Sequence, residues 1–137
     1  MKANRFKLST AATERLRLVK GRTGFKTDNI IPRIGFCLSL AEKNPPNPKD
    51  YDQDGKEFNR YTLLGEWDDI YLALLRENMK NHKIDFINEF DFFRAHLNRG
   101  VILASRLIKS LPDIAKLVEF AQNNMIYRLK ESDSSVD

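Results

Sequence analysis

The sequence predicts a mainly α-helical fold: a short N-terminal strand, a helix-turn-helix pair and a C-terminal helical bundle, within a single domain of 137 residues. Three observations carry that expectation. Apolar residues recur at spacings of three and four through most of the chain. Strict two-residue alternation is confined to Arg5-Phe6-Lys7-Leu8 near the start. Cap-type residues, Gly and Pro cut the helical stretches at defined places.

Taken in order, the alternating stretch puts Phe6 and Leu8 on a buried face and Arg5, Lys7 and Ser9 on an open one. Ser9 or Thr10 then caps a helix to about Thr23, buried along Ala12, Leu16 and Val19. Gly24 suits the left-handed conformation common just past a helix end, and Gly21 weakens the last turn. A second helix starts near Thr27, Asp28 or Asn29, with Pro32 in or beside its first turn. From Ile30 to Ala41 only Arg33 and Ser39 are polar, so this helix is expected to be central and to touch another copy. Residues 1–42 thus form a basic strand-helix-helix unit, and the Pro-, Asp- and Asn-rich residues 43–60 a mobile loop.

The helical half is expected over 61–125. Glu66, Asp68 and Asp69 crowd a first turn, where acids suit the helix dipole, and Trp67, Ile70, Tyr71, Leu74 and Leu75 follow at helical spacing. A phenylalanine-rich helix runs from about Ile84 to Arg99, where Gly100 breaks it or restarts it at an angle. Ser110, with Pro112 and Asp113 just inside, opens a last helix to about Asn124, and residues 126–137 form a frayed tail.

Charge is the strongest functional signal. Residues 1–33 hold nine cations against two acids, a local +7 in a chain of net +4. A basic end on an otherwise slightly acidic protein marks a polyanion-binding surface. The candidate DNA-contacting residues are Arg5, Lys7, Arg15, Arg17, Lys20, Arg22, Lys26 and Arg33, expected to gather on one exposed surface. Arg33 is equally suited to pairing with an acid on a neighbouring helix. Each phosphate that such cations neutralise adds about −0.9 to the salt slope of duplex binding. The single cysteine, Cys37, excludes a disulfide framework within the chain and reads as a small core residue. No stretch reaches the roughly 20 apolar residues of a membrane span, and no signal peptide is visible, so a soluble cytoplasmic protein is expected.

Strand, helix, Gly-containing turn and helix, with "TGFKTDNIIPRIGFCLSLAE" as turn and second helix, resembles a ribbon-helix-helix unit. That resemblance implies two copies pairing their strands into a ribbon for the DNA major groove, with Phe6 and Leu8 in the dimer core. The blocks "IIPRIGFCLSLAE", "LLGEWDDIYLALLRE" and "FRAHLNRGV", in that order, resemble the DndE family of DNA sulfur modification (phosphorothioation) proteins. This second resemblance implies a non-catalytic, DNA-binding assembly subunit without a cofactor or resident metal. It also implies a homotetramer and partner subunits that are sulfurtransferase-like and ATPase-like.

Other side chains carry weaker signals. Glu66, Asp68 and Asp69 can be read as a magnesium trio, but first-turn carboxylates are ordinary. His96 and Arg99 share a helix face and suit a structural bond to a carbonyl or Glu66 better than a phosphate clamp. His82 stands in a polar turn, and Phe86, Phe90 and Phe93 read as core or subunit interface. The alternative functions are a ribbon-helix-helix transcriptional repressor, a protein–protein adaptor with an acidic partner, and a metal-dependent nuclease.

Overall fold

The structure, a computed structural model, describes residue 1 and residues 3–134, with side chains described to residue 123. In chain order the elements are β1 (Arg5–Lys7), α1 (Thr10–Thr23), α2 (Ile30–Leu40), β2 (Glu57–Asn59), α3 (Arg60–Leu64), α4 (Asp68–Asn81), α5 (Glu89–Leu107) and α6 (Leu111–Ser134). Short 3-10 turns at Pro48–Asp50, Gly65–Trp67 and Phe86–Asn88 join them. The fold is mainly helical, as expected.

Helix α5 is the hub. It packs most extensively on α2, next on α1, and also meets α4. The α2–α5 crossing brings the two backbones into direct contact at Gly35 and Gly100, and a Cβ on either would overlap the backbone of the other helix. Gly100 therefore does not break α5, which runs unbroken through it; the glycine serves a close approach instead. The core around this crossing holds Leu16, Val19, Ile31, Phe36, Leu75, Phe93, Leu97 and Val101. Phe93 meets Phe6 edge-on at 5.4 Å between ring centroids and Phe36 at 5.8 Å. Phe90 is half-buried and Phe86 exposed.

The caps follow the sequence. Ser9 Oγ accepts from Ala12 N at α1, and Gly24 (φ 77°) closes that helix by donating to Lys20 O. Asp113 accepts from Lys109 N and Ser110 N at the start of α6. Helix α6 then runs past the expected end near residue 124, through most of the segment expected to fray; residues 135–137 of that tail, and Lys2, lie outside the described residues.

Three expectations are corrected. The strand β1 pairs antiparallel with β2 of the same chain, Phe6 opposite Phe58, rather than building its ribbon with a second copy. Phe6 and Leu8 are accordingly buried in this chain's own core. The segment 43–60, expected as a loop, contains β2 and is tied to the body: Arg94 donates to the carbonyls of Lys7, Tyr51 and Asp52, and Asp52 accepts from Thr10 N and Oγ1. Cys37, expected in the core, is exposed on the outer side of α2, and burial from one side pushes its thiol up from the ordinary value.

Candidate nucleic-acid interface

Helix α1 carries cations on both flanks of its buried stripe. Arg15 and Arg22, seven residues apart, share one flank; Arg17 and Lys20, three apart, share the other, roughly 150° round the helix. Between the second flank, the α1–α2 turn and the residues entering β2 lies a cleft of about 220 Å³, lined by Thr13, Leu16, Arg17, Lys20, Asp28 and Lys56. Asp28 stands at its centre. Lys20 Nζ meets Asp28 Oδ1 at 2.6 Å, and Lys56 Nζ takes Oδ2. Burial pushes the Asp28 carboxyl up, but the two ammonium groups outweigh it and hold it below its ordinary value. Arg17 is engaged with Glu14 at 3.0 Å on the exposed rim.

The eight predicted cations therefore do not form one face. Arg5 and Lys7 project from the open side of β1, with Glu57 and Asn59 opposite them on β2. Arg22 donates to Ser105 O at 3.1 Å, on the side of α1 that meets α5. Arg33 donates to Leu63 O at 2.6 Å, so it ties α2 to α3 and pairs with no acid among the described residues. Arg5, Lys7, Arg15 and Lys26 are exposed and make no ion pair or side-chain hydrogen bond among the described residues. Within that same set, Arg17 and Lys20 alone of the eight are matched to carboxylates.

A family model described as "DNA sulphur modification protein DndE" matches residues 5–111. The chain belongs to the DndE family. The crystal structure of DndE from Escherichia coli B7A, involved in DNA phosphorothioation modification, is similar to this chain with TM-score 0.62 and 25% identity, over 75% of this chain and 97% of that one. A DndE mutant carrying two glycine-to-lysine changes matches in fold with TM-score 0.56 and 23% identity, over 74% of this chain and 95% of its own. No protein of curated function matches. The family match ends at Leu111, where α6 begins, so nearly all of α6 lies outside the matched residues.

Lys56 is not among the predicted cations of this DndE-family chain. Its neighbours in sequence are acids and glycine, and only the folding of 43–60 back over α1 brings it to Lys20. Among the other side chains singled out, Asp68 is paired with the buried Arg60 at 3.0 Å, which also donates to Met1 O and Tyr61 Oη. His96 bonds Ser39 Oγ at 2.8 Å rather than a carbonyl or Glu66. Arg99 Nε donates to the same hydroxyl and its other nitrogens to Ser39 O and Asn44 O, a knot that pins the end of α2 to α5.

That knot makes stability depend on pH. Burial, with Arg99 and His82 adding repulsion, pulls the His96 imidazolium down to about 3 from 6.5. Between those values the unfolded chain binds a proton that the folded one refuses. Stability from this group is thus complete above pH 6.5 and is lost as pH falls towards 3, by about 1.4 kcal/mol per pH unit at most. Asp28, Asp52 and Glu89, all lowered, add losses of the same sign only at lower pH. Urea melts between pH 7 and 5 are expected to show the His96 slope, and His96→Gln to flatten it there whatever its effect on absolute stability.

Proposed function

We propose that this DndE-family protein is a non-catalytic, DNA-binding accessory subunit of a DNA phosphorothioation system. The observation that carries DNA binding is the uncompensated charge: Arg5, Lys7, Arg15 and Lys26 are exposed and unmatched among the described residues, and Arg22 and Arg33 meet only carbonyls there. Unpaired cations on a solvent face attract a polyanion and release its counterions on contact. Backbone contacts of this kind position a duplex without reading its sequence. The 25%-identical DndE described as involved in DNA phosphorothioation modification supports the same pathway. In it, this subunit works beside larger partners that supply sulfur transfer and ATPase activity. Titration of random-sequence duplex across a salt series tests the reading: affinity should be sequence-blind and fall steeply with salt. A strong preference for one palindromic site would instead indicate a repressor.

The protein acts as a homo-oligomer, with a tetramer expected. Trp67, just before α4, and Ile70 and Leu74 on it lie at helical spacing, each about half exposed. Next to them Tyr71 opens onto an apolar groove with Ile34, Leu38, Ile114 and Leu117. Exposed apolar side chains beside an apolar groove suit a second copy. Ile70→Asp with Leu74→Asp should lower the mass measured by light scattering while changing the melting temperature of the dissociated chain much less than a core substitution would, because both side chains are about half exposed in the single chain.

A further inference from the structure

The Lys20–Asp28–Lys56 arrangement is more than a surface ion pair. Its three members come from α1, the α1–α2 turn and the segment entering β2, and they converge on one cleft. Each oxygen of Asp28 is held by a separate ammonium group. A phosphodiester offers the same pattern: a monoanion with two equivalent non-bridging oxygens. Arg17 stands at the rim of the same cleft as a further donor, and Thr13 Oγ1, which donates to Ser9 O, accepts from Lys56 N and so fixes the backbone that carries Lys56. Lys20 and Lys56 are partly exposed, at 26% and 46% of their side-chain surface, so an external anion can reach them.

We propose that this cleft is a subsite for one DNA backbone phosphate, and that Asp28 occupies it in the free protein as an internal substitute for that phosphate. Binding at this point is an exchange: the phosphate takes the two lysines, and the Asp28 carboxylate turns out to solvent. Asp28 thereby sets affinity downward, since a carboxylate already screens the lysines and is repelled by the incoming strand. The inference rests on the DNA-binding reading above, and it adds Lys56 and Asp28 to the interface.

The test is a salt-series titration of random-sequence duplex with Asp28→Asn, Lys56→Gln and the double variant, and with Asp54→Asn as a control of equal charge change outside the cleft. Asp28→Asn should raise affinity about fivefold or more over wild type, clearly beyond the control, and steepen the salt slope by about 0.9 or more. Lys56→Gln should weaken binding, reduce the slope by about 0.9, and cancel the gain from Asp28→Asn in the double variant. A gain no larger than that of Asp54→Asn, or one that survives Lys56→Gln, overturns the proposal and leaves the triad as a staple of the turn. Should Asp28→Asn fail to fold, an unchanged affinity and slope for Lys56→Gln overturns it equally. Failure of the underlying reading looks different: the wild type itself would not bind duplex.

Discussion

Gly100→Ala and Gly35→Ala should each destabilise the fold by about 3 kcal/mol or more, the upper end of what overpacking costs. At the crossing of α2 and α5 the new methyl group points into main chain, which cannot change rotamer to make room. The helices must separate, and the packing of Phe36, Phe93 and Val101 around the crossing loosens as a unit. In thermal melts this corresponds to a fall on the order of 10 °C for a domain of this size. Gly21→Ala provides the contrast. Gly21 lies in α1 with an ordinary backbone, and nothing stands within 4 Å of the place its methyl would take, so the change should be neutral or stabilise by roughly 0.5–1 kcal/mol. Equal effects at the three sites would mean that the α2–α5 backbones do not touch.

Removing the four unmatched cations, Arg5→Ala, Lys7→Ala, Arg15→Ala and Lys26→Ala together, should weaken duplex binding on the order of 100-fold at ordinary salt. The salt slope should shrink by about 0.9 for each phosphate no longer neutralised, so up to about 3.6 units if all four meet the backbone. None of the four holds a partner among the described residues, so the melting temperature and the oligomeric mass should stay where they are. The size of the slope change therefore reports how many phosphates these side chains meet, which affinity alone does not. A variant that binds as tightly as wild type, with the same slope, would show that the duplex lies on another face.

The local signals were legible because they depend on a few adjacent residues. Ser9 and Gly24 bound α1, and Ser110 with Asp113 opens α6, as cap chemistry alone would have it. The alternation of Arg5-Phe6-Lys7 marked β1 correctly, with Arg5 and Lys7 open, but Ser9, expected on that open face, is buried as the cap of α1. Its partner was not legible. The strand β2 is three residues with one apolar position, Phe58, in a stretch of acids and amides, too short to show a period. Gly100 read as a helix breaker because its reason lies at Gly35, on another helix. The cations read as one cluster because they are close in sequence, whereas the spacing of Arg15, Arg17, Lys20 and Arg22 carries them round α1 to opposite flanks. Cys37 sits in an apolar run, yet its helix turns it away from α5.

The tie between the opening strand and α5 has a consequence for how the protein is made. Ser9 N donates to Asn98 Oδ1 across 89 positions, and Arg94 reaches back to the carbonyl of Lys7 across 87. Strand β1 can pair with β2 once residues 57–59 are made, but its bonds to α5 wait for about forty residues more. At roughly 5–20 residues per second that interval lasts a few seconds, in which Phe6 can meet Phe58 but not Phe93. Helix α1 can wind early, but most of its apolar stripe waits for α5, since α2 covers little of it. The native core therefore closes only when α5 arrives, after β1, α1 and α2 have all been made.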